Sequence, residues 1–365
     1  MDGVDAVLLE IVEGNCRTLG GLTHPYSEHL RANLNRAIAP DARLSLHEIA
    51  TMDIEVGERF AEAAALLLEQ LGAQRSAIIA VGSHGQTLRH APRAAFPYSI
   101  QIGSPAVIAA RLGVTTVADF RSLDIAYGGE GAPLVPAFHE WLLRTPTENR
   151  VIANIGGIAN ISLLPSHDRL PIQGYDTGPG NCLLDSWCAR HRGMPYDAFG
   201  DWAASGSVNT ALLTALLQNP YYAAAAPKST GREVFNLVYL DQMLAHSAFS
   251  DVAPADVQAT LAELTVETLA REIERHGRHW AAQFLVCGGG AHNRHLMNRL
   301  AARLSPVVVA PTSTLGVDPD LVEACAFGWL AYMRLGDRPV RMTTGAGTRE
   351  VRLGGVFLPT SQTRT

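Results

Sequence analysis

The chain has 365 residues, 47% hydrophobic and 18% charged, with 29 Lys and Arg against 35 Asp and Glu and a net charge of −6. That length suggests two or three domains and a core that needs neither disulfides nor a structural metal. Such mild acidity argues against a nucleic-acid or membrane-surface binder, which would carry a basic face.

No apolar run approaches the roughly 18 residues of a membrane-spanning helix, and Met1-Asp2-Gly3-Val4-Asp5 lacks the basic-then-apolar order of a signal peptide. Five scattered cysteines, Cys16, Cys182, Cys188, Cys287 and Cys325, form no CxxC pair, so no zinc site is indicated. A cytoplasmic enzyme is expected.

In chain order, Val7 to Val12 is the first strand candidate. Phe60, Ala64, Leu67, Leu68 and Leu71 then repeat at helical spacing. Ala77 to Val81 and Val114 to Ala118 read as strands, followed by Val151 to Ile155. Val257, Leu261, Leu264, Leu269 and Ile273 mark a long helix closed by Gly277. Phe284 to Cys287 and Val307 to Ala310 are further strands, and a helix opens near Leu315 and ends at Gly336. Alternating strands and helices predict an α/β fold with much parallel sheet. Pro195 to Gly206 and Asn219 to Glu233 read as irregular.

Three strands run into glycine-rich loops: Gly82-Ser83-His84-Gly85, Gly156-Gly157 and Gly288-Gly289-Gly290. Glycine allows close backbone approach and positive φ. A loop between a parallel strand and a helix directs N–H groups at anions. Each loop alone reads more often as a tight turn, whereas three suggest segments converging on one phosphate-bearing ligand.

Gly174-Tyr175-Asp176-Thr177-Gly178-Pro179-Gly180-Asn181 displays one carboxylate on what reads as a rigid loop before a helix from Cys182. Asp176 is either a general base held ionised by nearby N–H groups or the acceptor of an Asx-turn. His84 could bind a polar ligand or face solvent, and Arg121 could clamp a carboxylate or close a salt bridge. Glu323 could face a cleft or complement a helix dipole. Lys228-Ser229-Thr230-Gly231-Arg232-Glu233 lacks the spacing of a Walker phosphate loop; it reads as a solvated loop or, less commonly, as a basic loop touching phosphate or the partner domain. No residue set has metal-ligand spacing; any metal would be Mg²⁺ carried with a nucleotide.

Together, Asp2-Gly3-Val4-Asp5-Ala6-Val7, Gly82 to Thr87, Ala118 to Arg121, Asn154 to Asn160, Gly174 to Asn181, Pro227 to Glu233, Cys287 to Asn293 and Val322-Glu323-Ala324 resemble the anhydro-N-acetylmuramic acid kinase family. That family lies in the sugar kinase, actin and heat-shock ATPase superfamily. The resemblance implies two ribonuclease-H-like domains around an interdomain cleft. The first would span 1–122, with part of 336–365 packed on it, and the second 123–335.

It also implies ATP as co-substrate with Mg²⁺, hydrolytic opening of a 1,6-anhydro bridge, phosphorylation of O6 and a homodimer. Asp176 matches the catalytic base. Asp2, Gly3, Val4 and Asp5, Gly156 and Gly157, and Gly288, Gly289 and Gly290 match the nucleotide side. His84, Arg121 and Glu323 are candidates for the sugar side.

Family members carry an apolar strand and a Gly-Thr-Ser-type turn ahead of the segment matched by Asp2-Gly3-Val4-Asp5. About ten such residues are absent here, which suggests a start assigned too late and predicts unpaired ladder groups on Val7 to Val12. The alternative function is an impaired sugar-binding or sensor protein on the same fold. An ATP-driven switch is a third, weaker reading.

Overall fold

The apolar segment Arg150–Ile155 is the middle strand of a five-stranded sheet. In this computed structural model the described residues are 3–360 apart from 13, 40, 168–169, 278–279 and 345–346. The chain divides into two compact units, Met1–Phe138 with Leu321–Thr365, and His139–Asp320.

In the His139–Asp320 unit, Arg150–Ile155 runs parallel to Gln283–Cys287, which runs parallel to Val308–Pro311. On its other side lie Ile158–Leu164 and then Gln173–Pro179, joined as antiparallel neighbours. The helix Pro254–Glu274 starts with proline at its first turn, where the missing N–H costs nothing. Its Val266, Leu269, Ala270 and Ile273 pack with Val151, Ala153, Ile155, Phe284 and Val286 of the sheet and Leu296 and Leu300 of the helix Arg294–Leu304. A second cluster joins Leu183, Leu184 and Trp187 to Leu212, Leu216, Phe235, Leu240, Val257 and Leu261. The stretches expected to be irregular contain the short helices Asp201–Ser205 and Pro220–Ala223.

In the other unit, Gly3–Val12 pairs with Asn15–Pro25 as an antiparallel ribbon. The helix Leu46–Gln70 opens with a capping box of Ser45 and Glu48, which satisfies two otherwise orphaned N–H groups. A three-stranded sheet runs Gly355–Phe357, Thr116–Ala118, Val81–Gly82. The helix Val322–Leu335, expected in the second domain, belongs to this unit. It buries Cys325, Phe327, Trp329 and Leu330 and packs on Gly3–Val12, Val81–Gly82 and Thr116–Ala118. Residues 123–138 likewise belong here rather than to the second domain.

The expected strand Ala77 to Val81 shrinks to Val81–Gly82, preceded by a 3₁₀ turn at Arg75–Ala77. The amides of Val81 and Ser83 donate to Thr115 and Val117, each at 2.8 Å. By the alternation of strand backbone, Ala80 and Gly82 point their polar groups the opposite way. There a cavity of about 960 Å³ is lined by Gly3–Val12, residues 77–86, and apolar side chains including Phe60, Leu67, Leu68 and Phe327. Among the described residues Gly3–Val12 has one sheet neighbour, Asn15–Pro25, and it also lines this cavity. No helix among the described residues is long and apolar enough to cross a membrane.

Candidate active site

Asp176 lies within the strand Gln173–Pro179, opposite Asn160, and not on a loop. Pairing with Ile158–Leu164 extends the segment despite its glycines and proline, and the helix Cys182–Arg192 begins beyond it. The Asx-turn reading fails as well. The Asp176 carboxylate accepts from the Thr230 amide at 3.0 Å. Its own N–H donates to the Lys228 carbonyl at 3.0 Å, and its carbonyl accepts from the Tyr221 hydroxyl at 2.6 Å. Burial pushes this carboxyl up to about 6; the Thr230 amide opposes the shift and the nearby Glu233 charge adds to it. Beside it, the Thr230 hydroxyl is buried with no hydrogen-bond partner among the described residues.

Gly156-Gly157 turns the hairpin from Arg150–Ile155 into Ile158–Leu164, so it is not the strand-to-helix loop expected. The start of Cys182–Arg192 nevertheless meets it. The amides of Gly180 and Cys182 donate to the Gly157 carbonyl, each at 3.0 Å, and that of Asn181 to Gly156 at 2.8 Å.

Gly288 has φ +75°, and a Cβ there would stand 2.4 Å from the Asn154 side-chain oxygen. A Cβ on Gly290 would stand 2.4 Å from Ile155. Both positions require glycine, and both bring the Gly288–Gly290 loop against the end of Arg150–Ile155. Two of the three glycine loops therefore converge. The Arg232 guanidinium lies so close that a Cβ on Gly157 would be 2.8 Å from it. The amides of Gly180, Asn181 and Cys182 are thus spent on the Gly156 and Gly157 carbonyls, and the charged group at this glycine turn is the Arg232 guanidinium.

The third loop, Gly82 to Gly85, belongs to the other unit and leads into the hairpin Gln86–Ala91 with Tyr98–Ile102, not into a helix. Its His84 accepts from Arg121 at 2.7 Å and stacks on Phe327 with ring centroids 4.4 Å apart. Burial and the Arg121 charge hold this imidazole down at about 3, hence neutral. Arg121 also donates to the Gly131 carbonyl at 2.6 Å.

Glu323 lines the cavity and has exposed surface, yet its surroundings are apolar enough to raise its carboxyl; Arg121 opposes that shift and Asp5 adds to it. His84, Arg121 and Glu323 thus form one constellation, with Arg121 bonded to His84 and electrostatically coupled to Glu323.

Gly3, Val4 and Asp5 are strand residues. Val4 is packed in the core with Tyr26 and Leu30, and Asp5 accepts from the Thr23 hydroxyl at 2.5 Å. All three also pair with Thr23–Pro25 of the neighbouring strand. Asp2 lies outside the described residues.

Several residues are given no role of their own in the sequence reading, although Thr230 and Arg232 lie in the matched segment Pro227 to Glu233. Thr230, Tyr221 and Arg232 reach the site from the stretch expected to be irregular. Asp185, on Cys182–Arg192, has its carboxyl raised by burial to about 6, with Arg232 opposing. Lys228 is not solvated: it is buried in an ion pair with Glu272. The one available signal was the unusual clustering of Lys228, Arg232 and Glu233 beside glycine and hydroxyl residues. Glu272 gave none, because it stands among the charged residues Arg271, Glu274 and Arg275 at the end of a helix.

One α/β unit thus holds both a glycine turn beside a guanidinium and a buried carboxyl raised to about 6. A family model described as anhydro-N-acetylmuramic acid kinase matches residues 1–360. The anhydro-N-acetylmuramic acid kinase of Photobacterium profundum is 44% identical over 99% of this chain and 96% of its own length. That of Xanthomonas campestris pv. campestris (strain 8004) is 44% identical over 98% and 94%. Among solved structures, an activator of the 2-hydroxyisocaproyl-CoA dehydratase from Clostridium difficile with bound ADPNP overlaps 76% of this chain and 82% of its own at TM-score 0.39 and 13% identity. The chain belongs to the anhydro-N-acetylmuramic acid kinase family, and it is a kinase.

Proposed function

We propose that this kinase opens 1,6-anhydro-N-acetylmuramic acid with water and phosphorylates the freed O6, giving N-acetylmuramic acid 6-phosphate and ADP. The observation that carries the mechanism is the buried Asp176 carboxyl, raised to about 6 and oriented by the Thr230 amide. A base with that pKa is ionised at neutral pH and still basic enough to take a proton. Asp176 removes a proton from water as its oxygen bonds to the anomeric carbon. The bond from that carbon to O6 breaks, and O6 attacks the γ-phosphorus of ATP as ADP departs. The ring opening itself supplies the acceptor oxygen, so positioning and charge neutralisation carry the phosphoryl transfer.

ATP phosphates are assigned to Gly156, Gly157 and Gly288–Gly290: a Cβ on Gly156 or Gly289 would meet nothing nearer than 3.7 and 3.6 Å, and Arg232 is a cation beside Gly157. Mg²⁺ enters as the nucleotide's counter-ion. His84, Arg121 and Glu323 are the proposed sugar-side residues: a neutral imidazole and a guanidinium suit hydroxyl and carboxylate groups. Backbone of Gly3 and Asp5 is assigned to the nucleotide side. A cytoplasmic homodimer, acting in cell-wall recycling, completes the proposal. Transfer of ³²P from ATP to the anhydro sugar tests it. Labelled 6-phosphate is expected, and sugar binding without transfer would favour the sensor reading instead.

A further inference from the structure

Every hydrogen bond named above for Asp176 comes from Tyr221, Lys228 or Thr230, and that segment is itself held by one buried ion pair. Lys228 Nζ donates to Glu272 Oε1 at 2.7 Å, and the two side chains are only 4% and 3% exposed. Lys228 also donates to the Tyr222 carbonyl at 3.4 Å and sits 4.9 Å from the Tyr221 ring centroid. On the opposite flank, Glu272 Oε2 accepts from the hydroxyl of Tyr175, the residue before Asp176, at 3.4 Å. Arg275 stands 3.3 Å from Glu272 and donates to the Tyr222 carbonyl at 2.6 Å. One carboxylate on the helix Pro254–Glu274 therefore grips both the strand that carries Asp176 and the segment that carries Thr230.

We infer that Lys228 and Glu272 are positioning residues for Asp176, their ion pair setting the register across which the Thr230 amide meets the Asp176 carboxylate. The inference rests on reading Asp176 as the base. A buried ion pair adds little net stability over an apolar pair of equal volume, so stability alone does not account for placing one here. What an apolar pair lacks is direction. Hydrocarbon fills the space but fixes neither the Lys228–Thr230 segment nor Tyr175 in rotation. The other groups around Asp176 are the Glu233 charge and the Tyr221 hydroxyl, and Tyr221 is itself held by Lys228, so its bond to the Asp176 carbonyl belongs to the same positioning.

The test is the double variant Lys228→Met/Glu272→Leu, which removes both charges and leaves neither buried alone. Three quantities are read: the ¹³C titration of the Asp176 carboxyl, assigned with Asp176→Asn; kcat and the sugar KM; and the thermal midpoint. A folded double variant is expected to keep its KM and lose about 100-fold in kcat, the scale of a small misplacement. Its Asp176 carboxyl should titrate above about 6, because the Thr230 bond that lowers it is weakened.

An unchanged titration in the folded variant overturns the inference. A shifted titration with unchanged kcat upholds the positioning and overturns the base assignment instead. Should the double variant fail to fold, Glu272→Gln keeps shape while removing charge. A shift in the same direction supports the inference, and no shift overturns it.

Discussion

The Thr230 amide donates to the Asp176 carboxylate at 3.0 Å, joining residues 54 positions apart in the chain. Burial drives the carboxyl up to about 6 while this bond pulls it down. The balance leaves a base that is mostly ionised at neutral pH. Turnover is therefore expected to rise with pH through an acidic limb near 6. Asp176→Asn should lower kcat by about 10²–10⁴-fold with the sugar KM nearly unchanged, the mark of a group acting in the transition state. Steady-state kinetics from pH 4.5 to 8 check both; a limb unmoved in position and a variant of comparable turnover would remove Asp176 from the role.

The same raised carboxyl carries a stability cost. Between about pH 4 and 6 the folded protein holds the Asp176 proton that the unfolded chain has lost, so stability falls as pH rises through that window. Asp176→Asn should then be more stable than the parent at pH 8, by at most about 3 kcal/mol, with the advantage vanishing below pH 4. Urea unfolding at the two pH values measures it.

His84 has the opposite sign. Its folded pKa is depressed to about 3, so the unfolded chain takes up a proton that the folded protein refuses. Stability from this group is complete above about 6.5 and is lost as pH falls toward 3. His84→Gln retains an acceptor for Arg121 and cannot titrate. Its acid-unfolding midpoint should move to lower pH, and an unmoved midpoint would show that His84 does not govern acid stability.

Gly288→Ala would set a Cβ 2.4 Å from the Asn154 side chain at φ +75°. Both the clash and the left-handed backbone oppose it. The expected result is a loss of about 1–3 kcal/mol in stability and at least a tenfold rise in the KM for ATP, with the sugar KM less affected. Equal rises in both would speak against a nucleotide role for this loop.

Much of the fold was legible because periodicity reports burial. Arg150–Ile155, Gln283–Cys287 and Pro254–Glu274 fall where apolar runs and helical stripes put them. Ala77 to Val81 misled because an apolar run shows a preference for burial, whereas a strand also needs partners for its backbone. Asp176 was visible as a lone carboxylate among glycines. Its partners Tyr221, Lys228 and Thr230 were not, since nothing local in residues 219–233 marks which way they turn.

The sequence by itself determined the α/β class, the family and the identity of the buried carboxylate, since composition, apolar period and motif order are properties of the chain taken singly. Tertiary structure alone decided that Asp176 sits on a strand, that its carboxyl is raised to about 6, that Lys228 is buried against Glu272, and that the helix Val322–Leu335 belongs with the first unit. Each of these depends on desolvation or on contacts between residues tens of positions apart. Such effects arise only when the chain has closed on itself.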